Sequence, residues 1–301
     1  MNTKNIIHLF DPSPHTSPFD INMAADAGFD LVIPYNNVLL EHVQRLVQDT
    51  IFSRDQHGIK QTGIFFGGRN VDLSLDMLDA AEKAMVPPFQ VSVLADPSGA
   101  FTTAAAVITC VEKALKIQQI SDLTGLKVVV IGGTGAVGST SGAIASLQGA
   151  QVTVVDHVSM ERAAAIADKF NGRFETQLIP DVASTDEDKI RLVKDADIII
   201  SAALAGLEVI SATVLKEAVN LKVAADVNAV PPAGIKGIKR KHFAEPMEFA
   251  ENSPNAVGIG ALAIGDVKYK TQKELLRDLV KLEDPVYYDF RDAFLRARTL
   301  V

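Results

Sequence analysis

Gly133, Gly135 and Gly138 fall in the segment VVVIGGTGAVGST, a G-x-G-x-x-G spacing that follows a β-branched run and leads into small side chains. In this spacing the backbone itself binds phosphate. The first glycine permits a tight turn, the second lets the backbone approach a pyrophosphate, and the third lets helix and strand pack closely. Thr134, Ala136 and Val137 complete the loop and open a helix whose first N–H groups and positive dipole end would face the phosphates. The next apolar stretch, QVTVVD, ends at Asp156, about twenty residues on, where a carboxylate can accept both hydroxyls of an adenosine ribose. A carboxylate there also repels a 2′-phosphate at close range, so NAD is expected over NADP, with His157, when protonated, offsetting part of the repulsion. Ala202 and Asn228 end two further apolar runs, DIIISAA and KVAADV, at the edge where such sheets place ligands. Ala202 is assigned to the cofactor site; Asn228 reads equally as a nicotinamide-side contact or a turn former before Pro231-Pro232.

These residues need a frame that brings strand ends and helix starts together. Ile6 to Phe10 reads as a strand, and Ser17-Pro18-Phe19-Asp20 as a helix start with a Ser cap, Pro in the first position and a carboxylate near the positive end. Gly28 stops that helix. LVIPY, TGIFFGG and QVSVLAD read as strands alternating with the helices VLLEHVQRLVQDTIF and VDLSLDMLDAAEKAM, which predicts a largely parallel, helix-covered sheet. A long helix from about Thr102 to Lys116 follows, and the pattern restarts at Lys127. Strands KVVVIG, QVTVVD, a segment near Phe174 to Ile179, DIIISAA and KVAADV alternate with helices from Ala136, MERAAAIADKF, DEDKIRLVKDA and ATVLKEAV. The predicted class is α/β: a Rossmann-type doubly wound parallel sheet over 116–266, and a second α/β lobe over 1–115 completed by 267–301.

A chain of 301 residues has room for two such domains. Its net charge of −8 argues against nucleic acid as a partner, because phosphate contacts need a basic face. The apolar run near the N-terminus is too short for a signal peptide, and no apolar stretch approaches the roughly 18 residues that span a membrane. Neither a membrane nor a metal is assigned. The single cysteine, Cys110, in the helical pattern TTAAAVITCVEKAL, reads as a buried inert thiol and suits a reducing cytoplasm. A weaker reading joins Gly132, Gly135 and Gly138 with Tyr269 and Lys273, a Y-x-x-x-K pair of the short-chain dehydrogenase type in which Lys lowers the Tyr pKa. Ala256 stands where that chemistry needs a serine. A catalytically idle NAD-binding sensor is the reading from a different class, since a fold does not prove a reaction.

Several local sequences are more specific. SPFDINMAADAGFD, QDTIFSR, TGIFFGGRN, VPPF, ADPSGAFTTAAA, DVNAVPPAGI and VGIGALAIGDVKYKTQ together resemble bacterial methylene-tetrahydromethanopterin dehydrogenases, over essentially the whole chain and nearest to the branch using NAD as well as NADP. The resemblance implies an N-terminal pterin lobe, a dinucleotide lobe and a C-terminal helix returning to the first. It also implies a homotrimer, and distant kinship with methylene-tetrahydrofolate dehydrogenases, which keeps folate open as the alternative pterin.

Carried over by position, the family's site comprises Phe19 of SPFD, the second Thr of FTT, Thr103, and Lys268 at the start of the C-terminal segment. Gln272 stands where strictly NADP-dependent relatives carry His, and Asp156 where they carry a neutral residue. The implied reaction takes hydride from a methylene carbon between two nitrogens, whose lone pairs stabilise the methenyl cation, so no acid/base pair is required. Phe19 would stack on the pterin, Thr103 would hydrogen-bond it and Lys268 would orient it. Each also has a plainer reading: a hydrophobic contact at a helix start, an N-cap hydroxyl, a solvated charge. Lys236, Lys239, Arg240 and Lys241 suit a solvated loop better than the anionic tail of the pterin.

Overall fold

The computed structural model describes residues 3–301. The chain begins with β1 (Ile6–Phe10), α1 (Pro18–Ala27), β2 (Leu31–Tyr35), α2 (Val43–Phe52), the single turn α3 (Gln56–Ile59), β3 (Thr62–Phe66), α4 (Val71–Ala84), β4 (Ser92–Ala95) and α5 (Ala100–Ile117). There follow β5 (Lys127–Ile131), α6 (Ala136–Leu147), β6 (Gln151–Asp156), α7 (Met160–Phe174), β7 (Leu178–Val182), α8 (Asp186–Val193) and β8 (Ile198–Ser201). The remainder is α9 (Ala212–Lys216), β9 (Val223–Asp226), β10 (Phe243–Pro246), β11 (Val257–Ile259), α10 (Ala261–Asp278), β12 (Tyr287–Tyr288) and α11 (Phe290–Arg298). Two compact units result. One holds the residues up to Thr102 with Tyr269–Leu300, and the other Thr103–Lys268. The division falls within the residue ranges of α5, after Thr102, and of α10, after Lys268.

In the first unit all strand pairs are parallel, in the order β12-β4-β3-β1-β2. Every residue of β3 is buried, as a central strand covered on both faces requires. Its core is aromatic: the rings of Phe10 and Phe66 lie 5.9 Å apart and those of Phe101 and Phe290 5.7 Å apart. Burying each such side chain contributes about 1.5–3 kcal/mol. The C-terminal segment completes this unit, since Tyr287 and Tyr288 pair with β4 and Phe290 packs on Phe101. α1 forms as its caps dictate: Ser17 accepts from Phe19 N, Pro18 occupies the first turn, and Gly28 ends it at φ 104°.

The second unit has the order β10-β11-β9-β8-β5-β6-β7. Leaving aside β10, the antiparallel edge strand, this is the doubly wound 3-2-1-4-5-6 arrangement, with the order reversing between β5 and β8. Ligands of such sheets bind beyond the strand ends at that reversal. One predicted strand is misplaced: Phe174 belongs to α7, and β7 begins at Leu178. Asn171 causes the delay, because its side chain accepts from Thr176 and Leu178 N and so carries the chain out of the helix. No described helix is long and apolar enough to cross a membrane.

Candidate nucleotide and pterin sites

β5 delivers the chain to the switch point, and the glycines there divide the work differently from the spacing alone. The turn at positive φ is made by Gly132, at 77°, and not by Gly133. A Cβ on Gly132 would stand 2.6 Å from the Ala202 carbonyl oxygen, which places Ala202 as the backbone wall of the loop. Gly133 instead lets the loop lie on β6, since its Cβ would stand 2.7 Å from Val155 N. Gly138 lets α6 close on the turn, where a Cβ would come within 2.2 Å of the Gly132 carbonyl oxygen. Gly135 is the exception, with open space beyond a single contact of 3.4 Å. It is also the N-cap of α6 and supplies no side chain to cap it. Ala136, Val137 and Gly138 thus form a first turn with N–H groups suited to an anion, and the loop fits a pyrophosphate.

Asp156 ends β6 beside this loop with its side chain wholly inside the protein. Oδ2 accepts from Thr134 Oγ1 at 2.7 Å, and Oδ1 from the N–H of Val158 at 2.8 Å and of Ser159 at 3.0 Å. Burial alone would raise its pKa. The three hydrogen bonds and the Arg162 charge outweigh that and hold it at about 2. His157 Nδ1 lies 3.8 Å from Oδ1, and Arg162 Nε 3.6 Å from Oδ2. Arg162 carried no signal in the sequence, being one cation among others on the polar face of α7.

Asn228 turns inward. Its amide donates to Pro232 O at 2.9 Å and accepts from Val230 N at 2.9 Å, so it builds the 227–235 loop. Asp226 anchors the same loop through the N–H groups of Asn228, Gly234 and Ile235. Lys236 pairs with Glu208 at 3.4 Å, and Lys239, Arg240 and Lys241 lie exposed. Cys110 is buried, which pushes its thiol up to about 12.

In the first unit, a cleft of about 470 Å³ is lined by Asp11, His15, Phe19, Asp20, Arg69 and Ser98, among others. Phe19 is 47% exposed, too open for a core contact at a helix start. Asp11 and Asp20 are buried, and Gln272, fully buried on α10, donates to Asp20 Oδ1 at 3.4 Å. Ser98 holds a left-handed backbone at φ 53° and donates to Gly68 O at 2.9 Å, a strain of the kind found at binding sites. Sequence reasoning named Phe19 and Gln272 here but passed over Asp11, Arg69 and Ser98. The cap of α5 is not Thr103: Asp96 accepts from the N–H groups of Phe101 and Thr102 and from Thr102 Oγ1. Thr103 and Lys268, both partly buried, are the first and last residues of the 103–268 segment.

The short-chain alternative fails on geometry. Tyr269 OH donates to Asp26 Oδ2 at 3.1 Å, and that acceptor raises the Tyr pKa, the reverse of what proton shuttling needs.

Residues 18–98 match the family model described as methylene-tetrahydromethanopterin dehydrogenase, N-terminal, and residues 103–222 match alanine dehydrogenase/PNT, C-terminal domain. The chain is 45% identical, over 97% of its length and 97% of the relative's, to the NAD(P)-dependent methylenetetrahydromethanopterin dehydrogenase of Methylorubrum extorquens. A second protein of that organism, bifunctional protein MdtA, is 31% identical over 95% of each chain. Among solved structures, quinate dehydrogenase from Corynebacterium glutamicum in complex with NAD superposes with a TM-score of 0.54 at 12% identity, covering 99% of both chains, which speaks to the fold alone. With identity at this level running through both units, the chain belongs to the family of NAD(P)-dependent methylenetetrahydromethanopterin dehydrogenases.

Proposed function

We propose that this chain catalyses reversible hydride transfer from methylene-tetrahydromethanopterin to NAD, and less readily to NADP, in one-carbon metabolism such as formaldehyde oxidation in a methylotroph. The observation that carries this reading is the 45% identity over both units to a relative bearing that name. NAD(P), when bound, supplies the nicotinamide carbon that takes up the hydride. The methylene carbon lies between two nitrogens whose lone pairs stabilise the resulting cation, so no proton moves in the chemical step. The protein's task is then to bind and orient. Gly133, Gly135 and Gly138, with the first turn of α6, hold the pyrophosphate, and Asp156 opposes a 2′-phosphate. Phe19 offers an exposed ring for the pterin to stack on, Thr103 a hydroxyl, and Lys268 an ammonium that orients the substrate. Gln272 steadies Asp20 and cannot act as an acid or base. The reading includes a cytoplasmic homotrimer.

The test is NADH formation followed by absorbance with methylene-tetrahydromethanopterin and methylene-tetrahydrofolate side by side. A higher kcat/KM for the methanopterin substrate is expected. Equal or higher efficiency with folate would move the substrate to folate. Nucleotide binding without turnover of either would make the chain an idle NAD-binding protein.

A further inference from the structure

Asp156 stands where a doubly wound sheet offers a carboxylate to ribose, yet its side chain is 0% exposed. A carboxylate has about four acceptor positions. Three are occupied from within the chain, by Thr134 Oγ1, Val158 N and Ser159 N. The last two bonds belong to the turn that follows β6, and they move with Asp156. The Thr134 bond is of another kind, because it reaches across from the glycine loop and occupies Oδ2, the oxygen that also faces Arg162 at 3.6 Å. The one position left is on Oδ2 itself, so a ribose hydroxyl approaching it must share that oxygen with the Thr134 hydroxyl and cannot use both of its acceptor positions. Beside this withdrawn carboxylate stand two side chains that are largely open, Arg162 at 62% and His157 at 79% exposure. A guanidinium so placed suits a phosphate dianion, which it can bind through two parallel N–H bonds.

We propose that Thr134 is a positioning residue that sets the choice between NAD and NADP: its hydroxyl latches Asp156 Oδ2 away from the ribose and leaves Arg162 to receive a 2′-phosphate. The inference rests on reading Gly132–Gly138 as the dinucleotide loop. It explains how one chain can carry an NAD-type carboxylate and still tolerate NADP. With the latch closed, the carboxylate gives up part of its bonding to the ribose hydroxyls and part of its repulsion of the phosphate. Breaking the latch without moving the loop should restore both effects and sharpen the preference for NAD.

The test needs no turnover. ADP-ribose and 2′-phospho-ADP-ribose are titrated calorimetrically into the full-length protein, unmodified and as Thr134→Val, Thr134→Ala, Thr134→Ser and Arg162→Gln. Thr134→Val should raise the ratio of the two dissociation constants about tenfold in favour of ADP-ribose, the effect of one charge-assisted hydrogen bond regained. Thr134→Ala, which adds no methyl, serves the same purpose should the valine variant not fold. Thr134→Ser keeps the hydroxyl and should leave the ratio within about twofold, while Arg162→Gln should weaken the phosphorylated ligand alone by about tenfold. Both ligands binding to the valine or alanine variant with an unchanged ratio would overturn the latch, as would an equal loss for both, the mark of a merely structural role. Should the unmodified protein bind neither ligand, the dinucleotide reading fails and the latch with it.

Discussion

The two candidate half-sites are built from different materials. In the second unit the nucleotide loop is made of backbone: three of its four glycines admit no Cβ because main chain lies 2.2 to 2.7 Å from where it would stand. In the first unit the cleft is made of side chains, the carboxylates of Asp11 and Asp20, the Arg69 guanidinium and the open ring of Phe19. A backbone site fixes residue type wherever main chain comes that close, and at those positions it tolerates almost no substitution. A side-chain site fixes only charge and shape, so its residues are exchangeable in kind and carry the choice of substrate.

That contrast can be broken at several points. Lys268→Ala should lower turnover by about 10²-fold or more through lost orientation, with the NAD dissociation constant nearly unchanged, as measured by steady-state kinetics beside calorimetry. A parallel fall in NAD affinity would assign Lys268 to the nucleotide site instead. Next come two glycines three residues apart. Gly138→Ala drives a methyl group into the Gly132 carbonyl and should cost about 1–3 kcal/mol of stability, read as a fall in the urea midpoint, together with nucleotide binding. Gly135→Ala meets its nearest atom only at 3.4 Å, so its midpoint should hold while nucleotide affinity drops. Matching behaviour of the two variants would mean that Gly135 is a packing glycine and not the point of phosphate approach.

The glycine loop was legible because close backbone approach leaves a mark that only glycine can make, and Asp156 because strand length places it. Even there the spacing misassigned the turn: Gly132, not Gly133, takes positive φ, since tight turn and close packing both select glycine and the letters do not say which. The short strands were invisible. β11 has three residues and β12 two, too few to show a period, and they exist only because β9 and β4 offer them a free edge. Arg162, Asp11, Arg69 and Ser98 were missed for a common reason: a charged or hydroxyl residue near a turn looks the same whether it faces water or a ligand.

Smaller effects sharpen the comparison. Phe19→Ala should leave stability almost unmoved because the ring is half open, and should raise the KM for the pterin several-fold with little change for NAD. Removing the buried Phe66 ring should instead cost about 3–5 kcal/mol. Asp156 titrates at about 2 in the folded chain, below the roughly 3.9 of an unfolded aspartate, so the unfolded chain binds its proton more readily. Its contribution is therefore fully present above about pH 4 and is lost as pH falls toward 2. Asp156→Asn should flatten the acid limb of stability in that window and lower stability by a constant amount across the neutral range, with the gap to the unmodified protein closing as pH falls toward 2. Tyr269→Phe, at the small end, should alter turnover by less than about twofold, because no proton shuttles through it.

The central claim is a direct transfer of hydride from the pterin methylene to the nicotinamide, with the protein supplying position alone. Methylene-tetrahydromethanopterin made from dideuterated formaldehyde, turned over with NAD in ordinary water, tests it by proton magnetic resonance of the NADH. One deuterium per molecule at the nicotinamide C4, in a single stereochemical position and with no hydrogen drawn from water, is the expected result. Unlabelled NADH, or label diluted by solvent, would contradict the account, because hydrogen would then be passing through an exchangeable group on the protein.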